Sequence, residues 1–366
     1  MKTILHVIDT TGPGGAETIF IQLAKKIIDS NHKSIALIRG NGWVQSQLEE
    51  LGVPFIVIDC KGSFNLFYLV KIIKIIFSYK IDLIQSHLLG SNVYMSIAGL
   101  LTGRRVISTF HGMVDISPNE RFRFIKLLAI KLGSYRVVAV TDILRKIIID
   151  LPLISPNKVV TIYNGIELEA YNKVSSPKLR TNLGLSEKDI LIGSLGNIRT
   201  PKNYPLAINA LKQLHDCDYK AHYAIAGQGN EEQMKPLIEL AEKLKLRKYI
   251  HFLGFTKDTQ DFLSSLDIFL MSSSSEGHPL ALTQAMANKL PIATTRSGVE
   301  LIVNNSEAEL SDEMTADSLA KTINKIIINP THAKQLANNA FSKAHKSFSL
   351  EKMFENYFKL YKINPN

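Results

Sequence analysis

The sequence predicts an α/β protein built from two doubly wound domains, and three observations carry that prediction. Short apolar runs alternate with helical patterns in a βαβα rhythm, which argues for parallel sheets covered by helices on both faces. The rhythm breaks once, between Leu151 and Leu185, where Pro152, Pro156, Asn164, Gly165, Ser175, Ser176, Pro177 and Gly184 make a loop-rich connection, and then restarts. The chain's 366 residues also exceed what one core of ordinary size holds.

In chain order, the first strand is expected at Ile4 to Ile8. Its apolar stretch is short and runs straight into Thr10, Thr11, Gly12 and Pro13 without a cleavage-like site, so it reads as a strand and not as a signal peptide. A glycine loop follows, and then an apolar helix from Thr18. Further strands are expected at Ser34 to Ile38, Phe55 to Ile58, Leu83 to Ser86, Val106 to Phe110 and Val137 to Val140. Phe64 to Phe77 is the most lipid-like segment, but it contains Lys71 and Lys74 and is shorter than a membrane span. After the break, strands are expected at Ile190 to Leu195, Ala221 to Ala226, Ile250 to Leu253, Ile268 to Met271 and Pro291 to Thr294.

The composition is that of an ordinary globular protein, with 45% hydrophobic and 21% charged residues, and the formal charge is +10. A positive chain can bind nucleic acid, anionic lipid or phosphorylated substrates. Its basic residues form no Lys/Arg blocks and no nucleic-acid-reading motif is present, so nucleic acid is not an expected partner. Cys60 and Cys217 stand alone, which supports neither a disulfide framework nor a cysteine metal site and suits a reducing cytoplasm.

Two such domains would line a cleft with the carboxyl ends of their strands, where ligands of these folds bind. The most informative loop is Ser275, Glu276, Gly277, His278, Pro279, Leu280, Ala281, Leu282, Thr283, Gln284, Ala285, running into Met286, Ala287 and Asn288. Pro279 stands where a helix would begin, so Glu276 falls at a strand-to-helix turn, beside the electropositive start of the helix and able to grip ligand hydroxyls. Gly12, Pro13, Gly14, Gly15, Ala16 and Glu17 follow the first strand. This is neither the dinucleotide fingerprint nor a Walker loop, and it suits a tight turn as well as a phosphate site. His111 follows the fifth strand, and a lone histidine beside an apolar run is more often a structural residue. After the restart, Arg199 and Lys202 lie three residues apart on a loop, as a diphosphate clamp or as a solvated basic edge. Gly227, Gln228 and Gly229, and Phe252, Leu253, Gly254 and Phe255, are compatible with ordinary turns. Asp216, Cys217 and Asp218 spell a D-x-D pattern on an apparent exposed turn, and no metal is expected there.

In their order these segments resemble the retaining bacterial glycosyltransferases of the family-four type, the glycogen-synthase-like group of GT-B fold. The likeness runs from the GGAE quartet through Tyr163, Asn164, Gly165 and Ile166, the R-x-x-K loop and the E-x7-E region to Phe348, Ser349, Leu350, Glu351, Lys352 and Met353. It implies an acceptor-binding domain over 1–165, a nucleotide-sugar-binding domain over 166–345, and a terminal helix over 346–366 that crosses back to the first domain. It further implies a metal-independent, retaining hexosyl transfer with no cofactor. Glu276 and His111 would act at the donor sugar, and Gly14, Gly15, Arg199, Lys202, Gly227, Phe255, Gly277 and Gln284 would bind the donor, a UDP- or GDP-linked sugar. Many members place the arginine where this chain has Asn197.

Two departures stand out. Gln284 replaces the second acid of E-x7-E, which removes a charge-assisted bond to the ribose worth on the order of 1 kcal/mol. The loop Arg296, Ser297, Gly298, Val299, Glu300 lacks the second glycine turn of relatives. A non-catalytic nucleotide-sugar-binding subunit and a sugar-nucleotide epimerase are therefore the alternative readings. Arg121 to Leu132 mixes Arg121, Arg123, Lys126 and Lys131 with bulky apolar residues and no acid, which fits a core helix with a basic edge or a helix lying on an anionic membrane, as does the helix bearing Lys71, Lys74 and Lys80. The second option would suit a saccharide or lipid-linked acceptor at the cytoplasmic membrane face, in polysaccharide or lipopolysaccharide biosynthesis.

Overall fold

The computed structural model describes residues 1–59, 65–151, 153–171, 178–299 and 303–364, with the side chain of Val114 excepted. Cys60, Phe64, Pro152, Glu300 and residues 175–177, named above, lie outside the described residues. The chain divides into two compact units, one of 1–165 with 351–366 and one of 166–350.

Among the described residues the first unit holds β1 (Thr3–Val7), β2 (Lys33–Ile38), β3 (Phe55–Val57), β4 (Leu83–His87), β5 (Arg105–Phe110), β6 (Ser134–Ala139) and β7 (Val159–Thr161). They form one parallel sheet in the order 3-2-1-4-5-6-7. The second unit holds β8 (Ile190–Leu195), β9 (Ala221–Ala226), β10 (Ile250–Gly254), β11 (Ile268–Met271), β12 (Ile292–Thr294) and β13 (Glu309–Leu310), parallel in the order 10-9-8-11-12-13. Both are Rossmann-like, with helices on the two faces, so central strands such as β4 and β11 are buried at every position; β11 reads as an apolar run, whereas β4 carries Gln85 and His87 into the core. In each sheet the strand order reverses once, between β1 and β4 and between β8 and β11, and ligands of open α/β sheets bind outside the strand ends at such points.

Two strands escaped the sequence reading. β7 has only three residues and follows Pro156 and Asn157 inside the loop-rich stretch, and β13 is the pair Glu309 and Leu310, which is no apolar run at all. The first helix runs Gly15–Asp29 and so begins three residues before Thr18. Gly14 caps it in an extended conformation, and Glu17 supplies an acid to the first turn, where the helix dipole favours negative charge. Pro279 precedes the helix Leu280–Ala287 as its cap, in an extended conformation and outside the helix proper.

The helix Leu350–Tyr361 buries Met353, Phe354, Tyr357, Phe358 and Tyr361, a spacing that puts one apolar stripe on one face. That stripe packs in the first unit. Met353 Sδ accepts from Gly165 N at 3.2 Å, Lys26 Nζ lies 5.6 Å from the Phe354 ring, and Lys2 Nζ donates to the Tyr361 carbonyl at 2.9 Å. Deeper in, the first unit's core is unusually polar, with His6, Gln85, His87 and Thr109 fully buried on β1, β4 and β5. Burial lowers the His6 pKa to about 3, and neither of its ring nitrogens has a hydrogen-bond partner among the described residues.

Close packing also fixes Gly133, the last residue of the helix Arg123–Gly133. A Cβ there would sit 1.9 Å from the carbonyl oxygen of Ser96, on the helix Leu89–Thr102, so the two helices touch backbone to backbone. Gly133→Ala is expected to lower unfolding stability by about 1–3 kcal/mol in urea titration, as overpacking does, whereas an unchanged midpoint would show that the helices separate freely.

A second expectation concerns pH. The folded His6 pKa lies below the value of about 6.5 typical of an unfolded chain, so unfolding takes up a proton below that pH. The stability His6 contributes is thus complete above pH 6.5 and lost as pH falls toward 3. His6→Leu removes this loss, so between pH 7 and pH 5 the variant should gain about 2 kcal/mol on the wild type in paired denaturant titrations. Parallel pH profiles would contradict the burial of a neutral ring.

Candidate active site

In the second unit the loops after β8 and β11 flank the point where strand order reverses. Lys202 follows β8 and Glu276 follows β11, and the structure brings them together: Lys202 Nζ donates to Glu276 Oε1 at 2.7 Å, with the side chains 24% and 11% exposed. The sequence analysis assigns Lys202 and Glu276 to different parts of the donor, and their pairing is a finding of the structure.

Several contacts hold the pair in place. Ser273 Oγ donates to the same Glu276 oxygen at 2.5 Å, and the Glu276 backbone N donates to the Ser297 carbonyl at 2.7 Å. Ser274 N donates to the Pro201 carbonyl at 2.7 Å and Ser272 Oγ to the Lys202 carbonyl at 2.9 Å, so the serine run after β11 stitches the two loops together. Gly196, at the end of β8, lets the lysine stem pass, since a Cβ there would lie 3.1 Å from Lys202 Cε. Beneath it, Tyr204 Oη donates to the Gly196 carbonyl at 2.5 Å, and burial raises the Tyr204 pKa well above the usual phenol value.

The other predicted residues of this unit surround that centre to different degrees. Arg199 is exposed and makes no ion pair with the described residues. Asn197 Oδ1 accepts from Gln228 N at 3.2 Å and so serves the loop that carries Gly227. Gly227 allows the β9 loop to lie on the β8 loop, because a Cβ there would stand 1.9 Å from the Gly196 carbonyl oxygen. Gly277 is half-buried next to Glu276, and Phe255 is 41% exposed after β10. Gly298 has φ of +97°, and a Cβ there would meet the Glu276 carbonyl at 2.9 Å, so this single glycine backs the Glu276 turn.

Gln284 engages the Tyr171 hydroxyl, which also meets Thr259 Oγ1 at 3.2 Å. Burial is the main cause of the raised Tyr171 pKa. No motif in the sequence pointed to Tyr171. His278 is buried, its Nε2 3.1 Å from Thr283 Oγ1 and its ring edge-on to Phe348, with a pKa lowered by burial to about 3. Of the D-x-D pattern, Asp216 pairs with Lys212 one helical turn away and Asp218 takes a left-handed turn conformation.

In the first unit, Gly14 caps the Gly15–Asp29 helix, and an oxygen of the Glu17 carboxylate stands 2.3 Å from where a Gly14 Cβ would be. The glutamate thus folds back over the helix start into space that a side chain at position 14 would otherwise occupy. His111 follows β5. Its backbone N–H donates to Asp115 Oδ2 at 2.7 Å, and its Nε2 lies 2.9 Å from His87 Nδ1. Of the His111 ring nitrogens only Nδ1, which is buried, has no partner among the described residues. Burial lowers the His111 pKa to about 3 and raises that of Asp115 to about 6. Asp115 also accepts from Leu89 N at 3.2 Å, tying the loops after β4 and β5 together, and nothing in its sequence context marked it.

Two family models match the chain, one over each unit: Glycosyltransferase Family 4 over residues 13–170 and Glycosyl transferases group 1 over residues 175–343. Among named relatives, the O-antigen biosynthesis glycosyltransferase WclY of Escherichia coli is 29% identical over 187 residues, a match spanning 51% of this chain and about half, 49%, of that protein's length. The capsular polysaccharide biosynthesis glycosyltransferase CapH of Staphylococcus aureus is 24% identical over 355 residues, covering 93% of this chain and 95% of CapH. Among solved structures, Anabaena Alr3699/HepE in complex with UDP-glucose superposes with a TM-score of 0.88 at 21% identity, over 99% of this chain and 100% of that one. With a Family 4 first half, a group 1 second half and two Rossmann-like parallel sheets, the chain belongs to the glycosyltransferases of GT-B fold.

Proposed function

We propose that this protein moves a hexosyl group from a UDP- or GDP-linked sugar to a saccharide or lipid-linked saccharide acceptor, with retention at the anomeric carbon and without a metal, in the assembly of a surface polysaccharide. The observation that carries the reading is the Lys202–Glu276 pair at the strand-order reversal of the second sheet. Its lysine and carboxylate are the two charges such a donor needs, one for the diphosphate and one for sugar hydroxyls. Arg199, exposed on the same loop, supplies a second cation for the leaving diphosphate. His111 is assigned to the donor sugar, Gln284 to the ribose, and Gly227, Phe255 and Gly277 to the walls around the nucleotide. Gly14 and Gly15 are assigned to the diphosphate. The O-antigen and capsular relatives support the surface-polysaccharide setting.

The test uses UDP, GDP, ADP and TDP sugars with a chelator present. A ligand that binds the native state raises its apparent stability, so a UDP or GDP sugar should raise the melting temperature. Glu276→Ala should then cut transfer from that donor by about 10²-fold or more, the scale seen when a group serving the transition state is removed. Full turnover by Glu276→Ala would sink the site assignment.

A peripheral membrane setting is part of the proposal. No helix of the described residues is long and apolar enough to cross a bilayer. Yet the helix Leu66–Ser78 exposes Leu66, Phe67 and Phe77 beside Lys71 and Lys74, and the helix Arg123–Gly133 exposes Phe124, Ile125 and Leu132 beside Lys131. Each packs against the helix Leu89–Thr102, which itself exposes Leu100 and Leu101. Exposed apolar side chains set among cations fit an anionic lipid surface. The protein should sediment with vesicles containing phosphatidylglycerol, less so in high salt, and less again as Lys71→Glu with Lys74→Glu. Equal partition into neutral phosphatidylcholine vesicles would contradict the charge argument.

A further inference from the structure

The hydrogen bonds behind His111 have a direction, and it can be read from groups that act in only one sense. Gln85 Nε2 lies 2.9 Å from Thr109 Oγ1, 3.3 Å from His87 Nε2 and 3.4 Å from the Ser86 carbonyl. A carbonyl can only accept, so the Gln85 atom facing it is the NH₂ and not the amide oxygen. The opposite end agrees: Gln85 Oε1 receives the Tyr361 hydroxyl at 3.0 Å. With the amide so oriented, His87 Nε2 faces a donor and must carry its lone pair.

The rest follows ring by ring. His87 is fully buried and its pKa is driven well below the ordinary value, mainly by burial and then by the neighbouring His111, so it is neutral and has one proton. A lone pair on Nε2 puts that proton on Nδ1, which lies 2.9 Å from His111 Nε2. His111 Nε2 is then the acceptor, and the proton of the neutral His111 ring sits on Nδ1, the nitrogen with no partner among the described residues. Phe20 packs edge-on against His87, and Tyr357 Oη meets Thr109 Oγ1 at 3.3 Å, so the seam is held from two helices.

We propose that Tyr361, Gln85 and His87 are positioning residues that fix His111 in its Nδ1–H tautomer, so that the ring nitrogen left without a partner among the described residues, buried in this structure, carries a hydrogen-bond donor for a sugar hydroxyl and not a base. The tautomer follows from this geometry together with the burial that keeps both rings neutral, and its use at the donor sugar rests on the function proposed above. Tyr361 lies in the C-terminal helix, so that helix sets the chemistry of a ring far from it in sequence.

The experiment is a long-range proton–nitrogen correlation spectrum of the full chain labelled in histidine with nitrogen-15, its His111 signals identified by comparison with His111→Gln. The expected wild-type pattern at pH 7 is Nδ1 protonated and Nε2 bare; the reverse pattern would overturn the proposal. A pair of variants then separates tautomer from packing. His87→Asn keeps an N–H donor near the Nδ1 position, whereas His87→Asp has the same shape and can only accept, which forces a proton onto His111 Nε2. Since both remove the same ring volume, a purely structural role would move them alike. We expect kcat in His87→Asn within a few-fold of wild type and kcat in His87→Asp at least tenfold lower, at similar donor KM. Tyr361→Phe should give a mixture of tautomers at His111, and an unmixed signal there would overturn the part given to the helix. Should the wild-type tautomer be as stated and the two His87 variants turn over equally, the relay stands and the use of His111 at the sugar falls.

Discussion

The second unit depends on one contact between opposite charges, Lys202 Nζ to Glu276 Oε1, made where its sheet reverses strand order. Both side chains are largely withdrawn from water, so desolvation offsets much of their attraction and the pair adds little net stability. Its value is placement. The lysine could extend into water and the carboxylate could turn away, but Gly196 below, Ser273 beside and Gly298 behind leave the two groups at one point. A diphosphate offers the lysine the same kind of partner with more charge. On the function proposed above, donor binding would be an exchange at Lys202, phosphate for carboxylate, freeing Glu276 to accept sugar hydroxyls.

The first unit is organised differently. Its core accepts the cost of burying neutral imidazoles, and for His6 that cost has no compensating hydrogen bond among the described residues. His87 and His111 differ, being linked to each other and through Gln85 to Tyr361. A terminal helix that supplied only apolar packing would need Phe, not Tyr, at 357 and 361. The two hydroxyls show that it also sets polar geometry. Asp115 does similar work at the backbone, accepting from the loops after β4 and β5 and holding them in register at the price of a carboxyl buried enough to have its pKa raised to about 6.

Much of this could be read from the chain because parallel sheets buried on both faces write themselves as apolar runs. Ile190–Leu195, Ala221–Ala226 and Ile268–Met271 were legible to the residue, since each is a run bounded by turn residues. β7 and β13 were not: β7 follows Pro156 and Asn157 within a loop-rich stretch, and β13 is a two-residue pair, Glu309 and Leu310, with no apolar run. The candidate site was legible as a set of loops, through glycines, a strand-to-helix glutamate and a cation pair. What could not be read was which residues meet. Lys202 and Glu276 are distant in sequence and their contact follows from strand order. Asp115 and Tyr171 are ordinary residues in ordinary contexts, and His87 ends a strand with nothing nearby to mark it. Family resemblance supplied a role for His111 but not the direction of its hydrogen bonds, which only the arrangement of Gln85 and the Ser86 carbonyl reveals.

The most direct measurement on the central exchange is calorimetric titration of free UDP and GDP into the wild type, Lys202→Ala and Glu276→Ala. If Lys202 leaves the carboxylate for the diphosphate, the nucleotide that binds the wild type should bind Lys202→Ala about tenfold or more weakly, the scale of a lost charge-assisted bond. Glu276→Ala, whose lysine has no carboxylate to leave, should bind it at least as tightly as the wild type. Equal losses in both variants would mean that the pair is a structural brace and that the donor's phosphates are held elsewhere.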